Sequence, residues 1–128
     1  MEKPHIAFIG AGNMASSIVG GLLESGHPAQ RISAADPFPE SLERLRNIAP
    51  VATFADNAGA VAGADVVILA VKPQVMADAC GSIAEAVAAN GALVISIAAG
   101  ITIASMQARL GEHAAIVRCM PNTPALLG

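Results

Sequence analysis

The feature that most constrains this 128-residue sequence is its alternation of strand-length apolar runs with amphipathic stretches of helix length. Residues 5–9 form a largely apolar run that stops at Gly10, and residues 31–35 form a weaker one ending at Asp36-Pro37. Residues 65–71 are the strongest candidate, dense in β-branched side chains and closed by Lys72-Pro73. Residues 92–97 and 114–118 follow, and residues 51–53 read as a short sixth strand. Unbroken apolar runs indicate strands buried on both faces, which is the habit of parallel sheets.

The intervening segments carry a helical period. Met14, Ile18 and Leu22 recur at four-residue spacing with Val19 and Leu23 beside them, and Gly26 suits a C-terminal stop. Residues 39–48 direct Leu42 and Leu45 inward and Glu40, Glu43, Arg44 and Arg46 outward. Residues 73–90 place Met76, Cys80, Ile83, Ala84 and Val87 on one stripe, weakened in the middle by Gly81 and read as core packing rather than a cofactor contact. Residues 102–110 begin with the capping hydroxyl of Thr102 and bury Ile103, Met106 and Leu110. This order predicts one α/β domain over residues 1–128, a doubly wound, Rossmann-like, mostly parallel sheet flanked by helices.

Composition removes several alternatives. Hydrophobic residues are 54% and charged ones 13%, enough for a packed core and too apolar for disorder. A net charge of -3 gives no basic footprint for nucleic acid, and aromatics at 2% give no stacking platform. The longest charge-free apolar stretch, residues 92–104, falls well short of the roughly 20 residues needed to cross a bilayer. No leader pattern precedes the first apolar run, and two cysteines make no disulfide framework; a cytoplasmic protein without membrane or nucleic-acid partners is expected. The three histidines stand at segment edges without metal-ligand spacing, so no metal site is expected. Cys80 reads as helix core and Cys119 as a loop thiol, neither with an adjacent base. Nucleophile-elbow and P-loop motifs are missing. The apolar finish at Ala125-Leu126-Leu127-Gly128 reads as a cut, with Leu126 and Leu127 left as an uncovered edge.

Gly10-Ala11-Gly12-Asn13-Met14-Ala15 fits G-x-G-x-x-G/A directly after the first strand and at the opening of the first helix. Gly10 permits the tight turn, Gly12 removes a Cβ that would block a pyrophosphate, and Ala15 lets the helix lie close on the strand. The helix start then offers free N–H groups and about half a positive charge to phosphates. An ordinary glycine-rich turn is the competing reading, and the placement favours dinucleotide binding. Asp36, at the end of the second strand, stands where an acid bonds the adenosine ribose hydroxyls; it also suits a turn before Pro37. Lys72, one of two lysines, follows the strongest strand in the region where open α/β sheets bind ligands. It either lines the nicotinamide end of the cleft within Ala70-Val71-Lys72-Pro73 or is a solvated loop charge.

Four blocks together resemble the pyrroline-5-carboxylate reductase family. They are Phe8-Ile9-Gly10-Ala11-Gly12-Asn13-Met14-Ala15, Ala70-Val71-Lys72-Pro73-Gln74, Ser96-Ile97-Ala98-Ala99-Gly100-Ile101 and Arg118-Cys119-Met120-Pro121-Asn122-Thr123-Pro124. The resemblance implies the amino-terminal nucleotide-binding domain of a reductase that uses NADPH or NADH. It implies that Ile9, Gly10, Ala11, Gly12, Asn13 and Met14 hold the pyrophosphate, and that Asp36 and Asn57 hold the adenosine end. Ala70, Val71, Lys72 and Pro73 would border the nicotinamide ribose, with Ile97, Ala98 and Ala99 near the nicotinamide ring. Many members carry a small hydroxyl residue or a basic neighbour where Asp36 stands and use NADPH; the acid here leaves the choice between NADP and NAD open. The implied reaction is hydride transfer to the C=N bond of 1-pyrroline-5-carboxylate, giving L-proline. In the family a carboxy-terminal helical domain handles the substrate and makes the homo-oligomer. That domain is absent from this chain, so no catalytic residue is assigned; Asn122 and Thr123 are the candidates for facing substrate, and the chain alone is expected to be inactive. A methyltransferase, a non-catalytic nucleotide-binding or sensing module and another NAD(P)-dependent dehydrogenase domain are the competing functions.

Overall fold

The computed structural model describes residues 3–98 and 100–119. Within them, β1 (Ile6–Ile9), α1 (Asn13–Glu24), β2 (Ile32–Ala35), α2 (Pro39–Ile48), β3 (Ala52–Phe54), α3 (Asn57–Val61), β4 (Val66–Leu69), α4 (Met76–Asn90), β5 (Leu93–Ser96), α5 (Ile103–Leu110) and β6 (Ala115–Arg118) follow in order. Short 3-10 turns occupy Ala29–Arg31 and Pro73–Val75. The strands form one six-stranded sheet in the order β3-β2-β1-β4-β5-β6, parallel at every pairing. The predicted doubly wound α/β fold is the fold observed.

Two cores lie on opposite faces of the sheet. One joins Phe8, Ala15, Val19, Ile32, Leu42 and Leu45, which places α1 and α2 together. The other joins Ile9, Val67, Leu69, Met76, Cys80, Ile83, Met106 and Leu110 under α3, α4 and α5. Alternate residues of β1 serve the two cores, as the two-residue period of a strand requires. β1 and β2 are buried throughout, as their unbroken apolar runs predict, and β4 nearly so. The edge strands depart from that expectation: β6 is largely exposed and β3 only half-buried, because each has a neighbour on one side only among the described residues.

Helix ends follow their local chemistry. Gly26, at φ +98°, closes α1: its N–H donates to Leu23 O at 3.1 Å, and the His27 N–H donates to Leu22 O at 2.9 Å. That pair is a Schellman motif, in which a left-handed residue satisfies two otherwise unpaired carbonyls. Thr102 caps α5 by accepting from the Ser105 N–H at 3.1 Å, as its hydroxyl predicts. Two predicted inward positions face water instead: Met14 is 42% and Ile103 37% exposed. Both lie in the first turn of their helices, where the buried stripe is carried by Ala15 and Val19 in α1 and by Met106 and Leu110 in α5. Ala84 is half-buried, and Ala79 takes the deeper place in α4. No helix among the described residues is long and apolar enough to cross a membrane.

Candidate functional site

In the observed strand order, the chain runs from β1 outward through β2 and β3, then returns to the other side of β1 to form β4. The carboxyl ends of β1 and β4 therefore flank a topological switch point, where connections leave in opposite directions and a crevice opens. The Ala70 N–H donates to Ile9 O at 2.8 Å and the Gly10 N–H donates to Ala35 O at 2.8 Å, so the end of β1 is tied to both neighbours. Gly10 has φ +101°, and a Cβ there would come within 2.5 Å of Ala70 O and 2.9 Å of Ala70 C. Glycine at this position is thus a packing requirement of the protein itself.

Gly12 is different. It is the residue before α1, in extended conformation, and a Cβ placed there meets nothing within 4 Å. The fold makes no steric demand for glycine at this point, and the bare backbone leaves the approach to the start of α1 open. No side chain caps α1, and its first turn carries no acid. The leading N–H groups of a helix have no intrahelical acceptor, so those at the start of α1 remain available to an anion, with the dipole in their favour. Asn13 and Met14 are exposed around this opening, while Ala15 is fully buried against Phe8 and Val19 and lets α1 lie close on the sheet. An open backbone face, free amides and a close-packed small residue fit a diphosphate.

Asp36 lies one residue past β2 and is only 9% exposed. Its Oδ2 accepts from the Ala11 N–H and its Oδ1 from the Phe38 N–H, both at 2.8 Å. The two sequence readings of Asp36 are combined in one side chain. It initiates the turn before Pro37, and it also reaches across to the glycine-rich loop and fixes Ala11. Each carboxylate oxygen keeps a further acceptor site.

On the other side of the crevice, Ala70 and Val71 are half-buried and Lys72 is exposed in extended conformation, with Pro73 opening the 3-10 turn that leads into α4. Ile97 and Ala98 follow β5 and are half-buried; the Ile97 N–H donates to Leu69 O at 3.2 Å, bringing this segment beside the end of β4. Asn57 begins α3 beyond β3, and its Nδ2 donates to Ser82 Oγ of α4 at 3.0 Å. Ile9 through Met14, Asp36, Asn57, Ala70 through Pro73, Ile97 and Ala98 thus all lie at or just beyond the carboxyl edge of the sheet. Ala99, Asn122, Thr123, Leu126 and Leu127 lie outside the described residues.

A cavity of about 190 Å³ lined by Pro73, Met76, Ala77, Cys80, Ile101, Ser105 and Met106 adjoins the Lys72-Pro73 side. Neither periodicity nor motif marks it, because its lining comes from α4, α5 and the loop between β5 and α5. Burial pushes the Cys80 thiol up from its ordinary value, with Arg109 pulling weakly the other way; the buried thiol is therefore a poor nucleophile. The larger cavity, about 300 Å³, is lined by residues such as Val87, Ala92, Leu110 and His113. It sits where β5 and β6 begin, at the edge of the sheet away from the glycine-rich loop, so size does not identify the site here. Among the described residues no group of three or more His, Cys, Asp or Glu side chains is placed to hold a metal ion.

Comparison with known proteins bears on the family and the fold. The family model described as NADP oxidoreductase coenzyme F420-dependent matches residues 5–100. A pyrroline-5-carboxylate reductase of Pseudomonas aeruginosa is 51% identical over 127 residues, covering 99% of this chain and 46% of that protein. One from Haemophilus influenzae is 48% identical over 128 residues, covering 100% of this chain and 46% of its own length. The solved structure of a pyrroline-5-carboxylate reductase from Coxiella burnetii superposes with a TM-score of 0.91 at 37% identity, over 98% of this chain and 47% of that one. The chain spans about half the length of the curated relatives it matches.

Proposed function

The chain belongs to the NADP oxidoreductase coenzyme F420-dependent family, and on that premise we propose that it is the cofactor-holding half of a reductase that reduces the C=N bond of 1-pyrroline-5-carboxylate to L-proline. The observation that carries the cofactor part is the uncapped start of α1 beneath Gly12, where a Cβ would meet nothing within 4 Å. The substrate part is supported by the relatives named pyrroline-5-carboxylate reductase at 51% and 48% identity.

In this reading the amides of the first turn of α1 hold the diphosphate, and the buried Asp36 receives the adenosine ribose. Asn57 flanks the adenosine end. Ala70, Val71, Lys72 and Pro73 border the nicotinamide ribose, while Ile97 and Ala98 keep the ring side apolar and poor in water. A reduced nicotinamide supplies a hydride, two electrons with one proton, to the imine carbon. The imine nitrogen must then take up a proton, and the substrate carboxylate needs a cationic or N–H partner. Both tasks, with assembly into a homo-oligomer, are assigned to a second, helical domain beyond these 128 residues. The chain by itself binds cofactor and turns over little, in a cytoplasmic setting.

Calorimetric titration with NADH and NADPH tests the reading. At least one should bind the wild-type chain, and Gly12→Ala should weaken that binding by at least about tenfold, about 1.4 kcal/mol. Heat from neither nucleotide would remove the proposal.

A further inference from the structure

The 2′-phosphate that separates NADPH from NADH needs hydrogen-bond donors or a cation beside the adenosine ribose, and the segment after β2 is short of both. Pro37 and Pro39 have no N–H. The Phe38 N–H is committed to Asp36 Oδ1 at 2.8 Å, and the Ala11 N–H to Asp36 Oδ2 at 2.8 Å. Ser41 and Leu42 both donate to Phe38 O, at 3.1 and 3.4 Å. That leaves the N–H of Glu40, on a residue that is itself anionic, and the hydroxyl of Ser41, which is buried in the first turn of α2. No residue from 36 to 40 carries a cation or a hydroxyl.

Two cations of neighbouring elements, Arg46 and Lys72, are placed elsewhere. Arg46 donates to Thr53 Oγ1 at 2.7 Å, and Lys72 follows β4, two strands across the sheet from β2 at about 5 Å per strand. Arg44 lies one helical turn farther on, its guanidinium 3.4 Å from Ser41 Oγ. The Asp36 carboxylate, by contrast, suits a bare ribose: after one N–H each, its oxygens can still accept from the 2′- and 3′-hydroxyls. A phosphate in place of the 2′-hydroxyl would bring like charges together in a partly desolvated corner, where Coulomb repulsion is weakly screened.

Resting on the dinucleotide reading above, we propose that this chain selects NADH over NADPH, with Asp36 as the specificity-determining residue, against what the family's description implies. The 2′-phosphate does not fit the residues present, although the rest of a nicotinamide dinucleotide does. The aromatic ring of Phe38, 63% exposed at this corner, gives a substitution site that leaves the core untouched.

The experiment is calorimetric titration of the wild-type chain, Phe38→Arg and Arg44→Ala with NADH and with NADPH at one fixed ionic strength. The expected result is wild-type NADH binding at least about tenfold tighter than NADPH. Phe38→Arg should close much of that gap by improving NADPH, while NADH stays within about twofold. Equal or tighter NADPH binding by the wild type would overturn the proposal, and loss of that preference in Arg44→Ala would assign the 2′-phosphate to Arg44. Binding of neither nucleotide is the separate result that takes down the dinucleotide reading itself.

Discussion

Gly10→Ala probes the junction on which the site is built. At φ +101° a side chain is strained, at about 1–3 kcal/mol for a non-glycine residue held there. The added methyl would lie 2.5 Å from Ala70 O and 2.9 Å from Ala70 C. These are backbone atoms that cannot rotate away, so β1 and β4 must separate locally and stretch the 2.8 Å bond from the Ala70 N–H to Ile9 O. Overpacking of this kind costs about 1–3 kcal/mol. Together they amount to about 2–6 kcal/mol. At about 3–5 °C per kcal/mol for a chain of this size, Tm should fall by about 6–30 °C. Far-UV circular dichroism melts suit the measurement, because the sequence has no Trp and no Tyr to report by fluorescence. Gly12→Ala is the internal control: its Cβ meets nothing within 4 Å, and alanine at a helix N-cap costs at most about 1 kcal/mol. A Gly10→Ala protein melting within about 3 °C of wild type would refute the close approach of Ala70 as the reason for glycine.

Other outcomes follow from single contacts. Thr102→Ala removes the cap on the Ser105 N–H and should lower stability by about 1 kcal/mol in chemical denaturation; an unchanged midpoint would contradict the cap. Ile83→Ala, at a fully buried position, should cost about 2–5 kcal/mol, and a loss under 1 kcal/mol would show that α4 packs loosely. Thiol labelling should be biphasic, with exposed Cys119 reacting fast and buried Cys80 slowly; equal rates would count against the burial of Cys80. Burial first, then Arg31 and His27, hold the His5 pKa below its ordinary value of 6.5, with Asp65 opposing. The unfolded chain therefore binds the proton more readily, so stability should fall as pH drops through 6.5 toward the lowered value. His5→Gln should flatten that slope, and an unchanged slope would assign it to other groups.

The sheet was legible because its strands are short apolar runs ended by Gly10, Asp36-Pro37 and Lys72-Pro73, whose backbone preferences oppose continuation. The six strands lie within a residue or two of their expected bounds. α3 leaves no periodic mark in the sequence: at five residues it is too short for a helical period to register. Its one signal is Asp56, which accepts from the Gly59 N–H at 3.0 Å. The exposed faces of β3 and β6 could not be read either, because edge position depends on strand order and not on the strand's own residues. Spacing marks the glycine-rich turn but cannot separate its two glycines. Only the fold shows that Gly10 answers to Ala70 while Gly12 faces open space. Likewise, position suggests Asp36 as a ribose ligand and as the start of a turn, the latter matching its bond to the Phe38 N–H, whereas its bond to the Ala11 N–H joins two segments whose approach no local pattern reveals.

The most direct measurement is an amide NMR titration of ¹⁵N-labelled chain with NADH. The account predicts the largest shifts at the backbone N–H groups of Gly12, Asn13, Met14 and Ala15, with smaller ones at Asp36 and Lys72. Shifts concentrated instead around Val87, Ala92 and His113, which line the larger cavity at the far edge of the sheet, with the start of α1 undisturbed, would contradict it.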